Sequence, residues 1–279
     1  MPPLNTAMMA IGAKVLFIAK VIQLPTEWKP PGSQFPQAFK PPELMVPPNS
    51  PTNLFRESTL NKYHVKTAKV IGKKFEDYID GICTAIGAGV MAFKATAFLQ
   101  GVQVMSLSAI GMPGCLKSAP IGPVIFGAAP KANEQEIKYS QAIANAFDKK
   151  WKEWQDQVMI PALPWYPAFV AFPGPMAPPM PNVPMPLAAC PSAMITSLMA
   201  PSLKSEMIDQ LGESDALHHE ELFEALAMAF QSVFLMWLPT QMVMLAMGTG
   251  PIPTFVPPFV PAGPVIAGNI LPTPGILLS

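Results

Sequence analysis

Apolar residues recur three and four apart at Met8, Ile11, Val15, Ile18 and Ile22, which gathers them on one side of a helix. The spacing predicts a helix over 4–24, capped by Asn5 or Thr6 and stopped by Pro25. Lys14 and Lys20 lie off the stripe, which suits packing on a partner; a helix lying on a membrane surface would carry the same pattern. Residues 54–81 alternate lysines and acids with Tyr63, Val70 and Ile71 and predict an amphipathic helix. An apolar stretch continues it to Pro113. Gly81, Gly87, Gly89 and Gly101 each lower helix propensity by about 1 kcal/mol but permit close backbone approach.

Asn133 followed three residues later by Glu136 reads as a capping box. Ile137, Ala144, Trp151 and Val158 then repeat every seven residues, with Phe147 and Trp154 between them, so a helix over 133–160 ends before Pro161. A last helix is predicted from Ser214 or Asp215 to Pro239, with a further apolar turn before Gly248. Asp215, Glu220 and Glu221 suit its positive amino end, and beyond Glu224 it is apolar on every side, which predicts burial all round.

Between these helices lie proline-rich stretches. Residues 25–51 hold three Pro-Pro pairs with Trp28, Phe35 and Phe39, and polyproline II is their natural conformation. Three Pro/Gly tails follow helices at 111–127, 161–181 and 248–268. The first and third share six of eight positions: Pro120, Gly122, Pro123, Val124, Ile125 and Gly127 match Pro261, Gly263, Pro264, Val265, Ile266 and Gly268. A Gly-Pro step before Val-Ile predicts a turn and a short extended piece in both. The expected fold is therefore mainly α, with helices alternating with long extended Pro/Gly-rich arms and little β-sheet. Its segments are 1–24, 25–53, 54–130, 131–203 and 204–279.

Composition sharpens what the arms need. Residues 157–203 and 225–279 contain no Asp, Glu, Lys, Arg or His. Only 13% of the 279 residues are charged and the net charge is zero, so little opposes self-association, and the high apolar content argues against disorder. There is no basic excess for nucleic acid. Proline has no N–H to satisfy, so an apolar proline-rich strand can be buried at modest cost against a protein surface.

Catalytic signatures are missing. The Gly87-Ala88-Gly89 run fails the phosphate-loop pattern, and no G-x-S-x-G or H-E-x-x-H occurs. Cys83, Cys115 and Cys190 match no metal spacing and read as buried reduced thiols. His218 and Glu221 share a helical face, but a metal would need a second such pair, so a solvated helix start is the better reading. Lys149, Lys150 and Lys152 are balanced by Asp148, Glu153 and Asp156. The 19 methionines fit adaptable packing rather than metal transport. We therefore expect neither an enzyme nor a cofactor or metal site.

The run IPTFVPPFVPAGPVIAGNILPTPG (252–275) resembles the carboxyl ends of tailed-bacteriophage virion proteins. The resemblance implies a structural protein of the tail, baseplate or neck, with itself and other structural proteins as partners. Trp151, Trp154, Trp165, Phe255, Phe259, Pro261, Val265 and Ile266 are the expected contact residues. The alternative is a membrane-inserting or pore-forming protein, using the uncharged stretch at 225–248 and the apolar one at 95–116, each long enough to span a bilayer.

Overall fold

The computed structural model describes residues 2–20, 62–216, 218–258, 263–275 and 277–278, with the side chains of 62–69 excepted. The proline-rich stretch 25–51 lies outside the described residues. Six α-helices occur among them: α1 (Thr6–Ala19), α2 (Lys62–Thr96), α3 (Gly122–Ala128), α4 (Glu134–Gln155), α5 (Ala200–Leu211) and α6 (His219–Trp237). There are also ten strands: β1 (Phe98–Leu99), β2 (Val102–Met105), β3 (Ser108–Gly111), β4 (Leu116–Lys117), β5 (Ile160–Pro164), β6 (Met176–Pro181), β7 (Met185–Pro186), β8 (Met242–Val243), β9 (Met247–Pro251) and β10 (Gly268–Leu271). The chain is thus mixed α and β, not mainly α with little sheet. The expected arms at 161–181 and 248–268 supply strands β5, β6 and β9, joined by loops.

The helices form a bundle. α1 lies in the groove between α2 and α6, α5 packs on α4 and α6, and the short α3 bridges α2 and α4. α1 runs antiparallel to both its neighbours: Lys14 meets Asp80 and Lys20 meets Glu224, while Thr6 sits against Gly87 and Gly12 against Ala229. A Cβ on Gly87 would come within 2.2 Å of the Thr6 methyl, so this crossing needs glycine. The close fit decides which face of α1 is buried. Met9, Ala10, Ala13 and Phe17 face the bundle, and the larger stripe of Met8, Ile11, Val15 and Ile18 points outward.

Aromatic rings fill the bundle centre. Trp151 meets Phe93 at 5.0 Å and Trp154 at 5.1 Å, and Phe147 meets Phe230 at 4.8 Å, all edge to face as ring quadrupoles prefer. These contacts tie α2, α4 and α6 together. Asn133 caps α4: its Oδ1 accepts from the Glu136 N–H at 2.9 Å, and Glu136 reaches back one residue beyond the cap, to the Ala132 N–H at 2.9 Å. The predicted heptad faces the core from Ala144 onward, but Ile137 is exposed. α6 begins at His219, later than expected, because His218 adopts a left-handed conformation. It is not buried all round, since Met228, Leu235 and Met236 are exposed.

The apolar run after Gly81 divides. Its first half extends α2 to Thr96, and its second half folds into β1–β4. In β2, Val102 and Val104 are buried while Gln103 and Met105 are exposed, the period-two pattern of a half-buried strand. Six antiparallel strands form the main sheet in the order β5-β3-β2-β10-β9-β6. β5 and β6 are its edges and carry Pro161, Pro164, Pro178, Pro179 and Pro181. Proline cannot donate to a ladder, so it belongs at an edge, where it also discourages pairing with another chain. β9 and β10 come from the charge-free tail and are inner strands, bonded on both sides.

The repeated octapeptide takes two forms. At 122–128 it is helix α3, with Pro123 in the first turn and Ile125 buried; at 263–268 it is a loop with Gly263 and Ala267 at positive φ that leads into β10, with Val265 buried. Ile125 and Val265 are not equivalent positions of the repeat, so the copies share letters and not structure.

Candidate functional site

Charge divides the molecule. Apart from Lys117, no residue of 97–121, 157–203 or 238–279 is charged, and every described strand comes from these segments. Lys117 itself sits 3.8 Å from Asp156 at the junction with α4. The helical part holds the other described charges and largely pairs them. Glu224 accepts from Lys20 and Lys204, which hold its carboxyl down at about 2. Glu206 is buried, which raises its pKa; hydrogen bonds from Lys149 and Gln210 and the charge of Lys150 outweigh this and lower it. Lys138 pairs with Glu213 at 2.6 Å. One part of the protein is a polar bundle whose charges are largely paired, and the other is a sheet lobe whose strands carry no charge but Lys117.

The lobe's inner face sets small residues against Val102, Val104, Leu163 and Ile270. Ala109, Gly111, Ala177, Gly248, Gly250 and Gly268 are buried there. The Trp165 indole lies directly on Gly248, and Val265 wedges between Gly250 and Gly268. Two proline-rich loops hold these plugs in place. Trp165 N–H donates to Leu107 at 2.8 Å, Val265 N–H to Phe169 at 2.8 Å and Phe172 N–H to Gly263 at 3.2 Å. Buried Asn182 ties the lobe's connections, donating to Val183 and Val243 and accepting from the Ala246 N–H at 2.9 Å.

The outer face is open. Register places Ile110 opposite Gln103, Gln103 opposite Asn269 and Asn269 opposite Thr249, a row across four strands. Ile110 is 51% exposed, and Met105 and Leu271 flank the row at 49% and 40%. Around the rim Leu107, Met112, Met176 and Ile266 are also exposed. Single exposed apolar residues are ordinary, but here they share a surface with no charged residue among them.

The expected contact residues mostly lie elsewhere. Trp151 and Trp154 are the centre of the bundle, and Trp165 and Val265 plug the inner face of the sheet, so these four are spent inside the chain. Phe255 is half-buried against the core, and Ile266 is exposed. Phe259 and Pro261 lie outside the described residues. Gln103, Ile110, Asn269 and Leu271 escaped the sequence reading. The alternation Val-Gln-Val-Met at 102–105 was the available signal.

Chemistry elsewhere is sparse. Among the described residues no three His, Cys, Asp or Glu side chains converge on a point. His219 Nδ1 is engaged with the Ala216 carbonyl at 2.7 Å. Cys83, Cys115 and Cys190 are free and buried; burial pushes Cys83 and Cys190 up to about 12. A cleft of about 150 Å³ between α2 and α4 is lined by Ile71, Lys74, Phe75, Tyr78, Glu136 and Tyr139, and is small beside a typical ligand site. A second cleft, beside α5, contains Lys150, but that ammonium already pairs with Glu153 and Glu206.

Comparison with known proteins adds no relative: no family model, characterised sequence or solved structure matches the chain.

Proposed function

We propose that the chain is a structural subunit of a large assembly, held among its neighbours by the uncharged sheet lobe. The resemblance of 252–275 to virion proteins suggests the setting, a phage tail or baseplate. The segregation of charge carries the reading. A lobe with no charge on its strands beyond Lys117 has little to keep copies apart in water, and its outer face can be buried without desolvating an ion. Gln103, Asn269 and Thr249 would fix register through hydrogen bonds, and the methionines would adapt to neighbours. Neighbours in this reading meet a preformed surface, so docking avoids the cost of ordering free arms.

Membrane insertion is the competing reading. Two helical stretches, Val70–Thr96 and His219–Thr240, are long and apolar enough to cross a bilayer. About half of each lies inside the bundle, where Phe93, Phe230 and Phe234 hold ring contacts. Insertion therefore requires the bundle to open, whereas the sheet lobe is exposed already. The stretch at 95–116 is not a helical span, because β1–β4 occupy it.

The test is a charge placed on the outer face. Ile110→Lys with Leu271→Lys is expected to leave the fold intact by circular dichroism and abolish incorporation into particles, read by mass spectrometry of purified virions. Incorporation of the variant at the wild-type level contradicts the reading. So does a monomeric chain that is missing from particles and floats with liposomes.

A further inference from the structure

We propose that a second copy of this chain docks on the outer face of α1, about a two-fold axis that sets the two α1 helices antiparallel. Met8, Ile11, Val15 and Ile18 are 48%, 61%, 60% and 65% exposed, while the opposite face of α1 is buried. Their spacing of three, four and three is a narrow heptad seam, the form a partner helix fills. A helix lying in lipid presents a wider apolar face. The nearby cations are also engaged, Lys14 by Asp80 and Lys20 by Glu224, so they offer little to anionic headgroups.

The apolar surface continues onto α6. Glu224, Met228, Ser232 and Leu235 fall on one stripe of that helix, and Glu224 meets Lys20, so the stripe runs beside α1. Met236 lies one heptad beyond Ala229, which faces Gly12, and so flanks the amino end of α1. At about 100 Å² each, the seven exposed apolar side chains offer about 700 Å² per copy, close to the roughly 800 Å² per partner of a specific interface. Exposed Ala7 and Ala19 flank the seam and allow close approach. Antiparallel pairing opposes the helix dipoles and keeps Lys20 away from Lys20 of the partner subunit. It sets Ile11 against Val15 of the partner subunit and Met8 against Ile18 of the partner subunit. This contact lies on the helical part and is independent of the sheet-lobe reading.

Sedimentation and light scattering of the full chain decide it, run on the wild type and on the Ile110→Lys, Leu271→Lys variant to remove lobe contacts. Both are expected to contain a species of twice the 30.0 kDa chain mass. Adding Ile11→Asp and Val15→Asp is expected to halve that mass while the circular-dichroism spectrum stays that of the wild type. A mixture of the Ile11→Cys chain and the Val15→Cys chain should cross-link, and neither alone. The proposal is overturned by a monomer in the lobe-blocked variant, by a mass the Asp pair leaves unchanged, or by Val15→Cys cross-linking alone. Monomers whose binding to anionic vesicles the Asp pair abolishes would overturn it in favour of a lipid surface. Because the lobe-blocked variant keeps the two-fold contact, either reading can fail without the other.

Discussion

Gly248→Ala tests whether the charge-free tail is an inner strand. A Cβ at this position would stand 2.6 Å from Cζ2, 2.9 Å from Cε2 and 3.2 Å from Nε1 of Trp165. The indole has little room to retreat. It is 3% exposed, its Nε1 donates to the Met180 carbonyl at 3.3 Å, and its ring packs on Phe169. Overpacking of this kind costs about 1–3 kcal/mol, and the rigidity of the ring argues for about 2 kcal/mol. In a tail that hung free, the same change would be neutral, because the residue would be equally unconstrained in the folded and unfolded states. A loss of stability therefore discriminates. Urea denaturation at equilibrium should show a lower midpoint with an unchanged slope. Trp165→Leu, costly in the wild type, should cost at least about 1 kcal/mol less beside Gly248→Ala, because the two residues share one contact. A neutral or stabilising Gly248→Ala, or strict additivity of the pair, would refute the packing of β9 beneath Trp165.

Three further outcomes follow from the same geometry. Lys20 and Lys204 hold Glu224 at about 2, below its ordinary 4.5, so the stability it contributes is present above about pH 4.5 and is lost as pH falls toward 2. Melts of Glu224→Gln should lie below wild type at pH 7 and converge with it in acid; a constant gap would contradict this. Burial pushes Cys83 and Cys190 up to about 12, so a thiol reagent at pH 8 should label neither until urea exposes them; rapid labelling of the native chain would count against the fold. Pro178→Val with Pro179→Val restores two donors to the β6 edge, and light scattering should report aggregation at a lower protein concentration with little change in the unfolding midpoint; unchanged scattering would contradict the edge role.

Helices with caps and heptads were legible in the sequence, because their signals are local: Asn133 with Glu136, and the run from Ala144 to Trp154. The sheet was not, for two physical reasons. Its edge strands contain five prolines, which normally argue against a strand and are tolerated here because no described strand pairs with the outer side. Its inner strands β9 and β10 are glycine-rich and pair across 20 or more residues of sequence, so no local pattern announces them. α5 carries Pro201 in its first turn and Gly212 in a left-handed cap, signals that the proline-rich context hid. The stripe on α1 holds from Met8 to Ile18, and Ile22 lies outside the described residues. Which side it faced depended on Gly87 and Ala229, residues of other helices. The outer row of the lobe joins Ile110, Gln103, Asn269 and Thr249 from four strands, and only the register brings them together.

Residues 247–251 and 268–271 belong to a folded lobe before any neighbour arrives. Hydrogen exchange of the isolated chain tests this most directly, followed segment by segment with that of assembled material. The account predicts that amides of β9 and β10 exchange slowly in the isolated chain, comparably to those of β2, and change little on assembly. Exchange at free-peptide rates in isolation, with protection gained only on assembly, would contradict it and make the tail an extended arm.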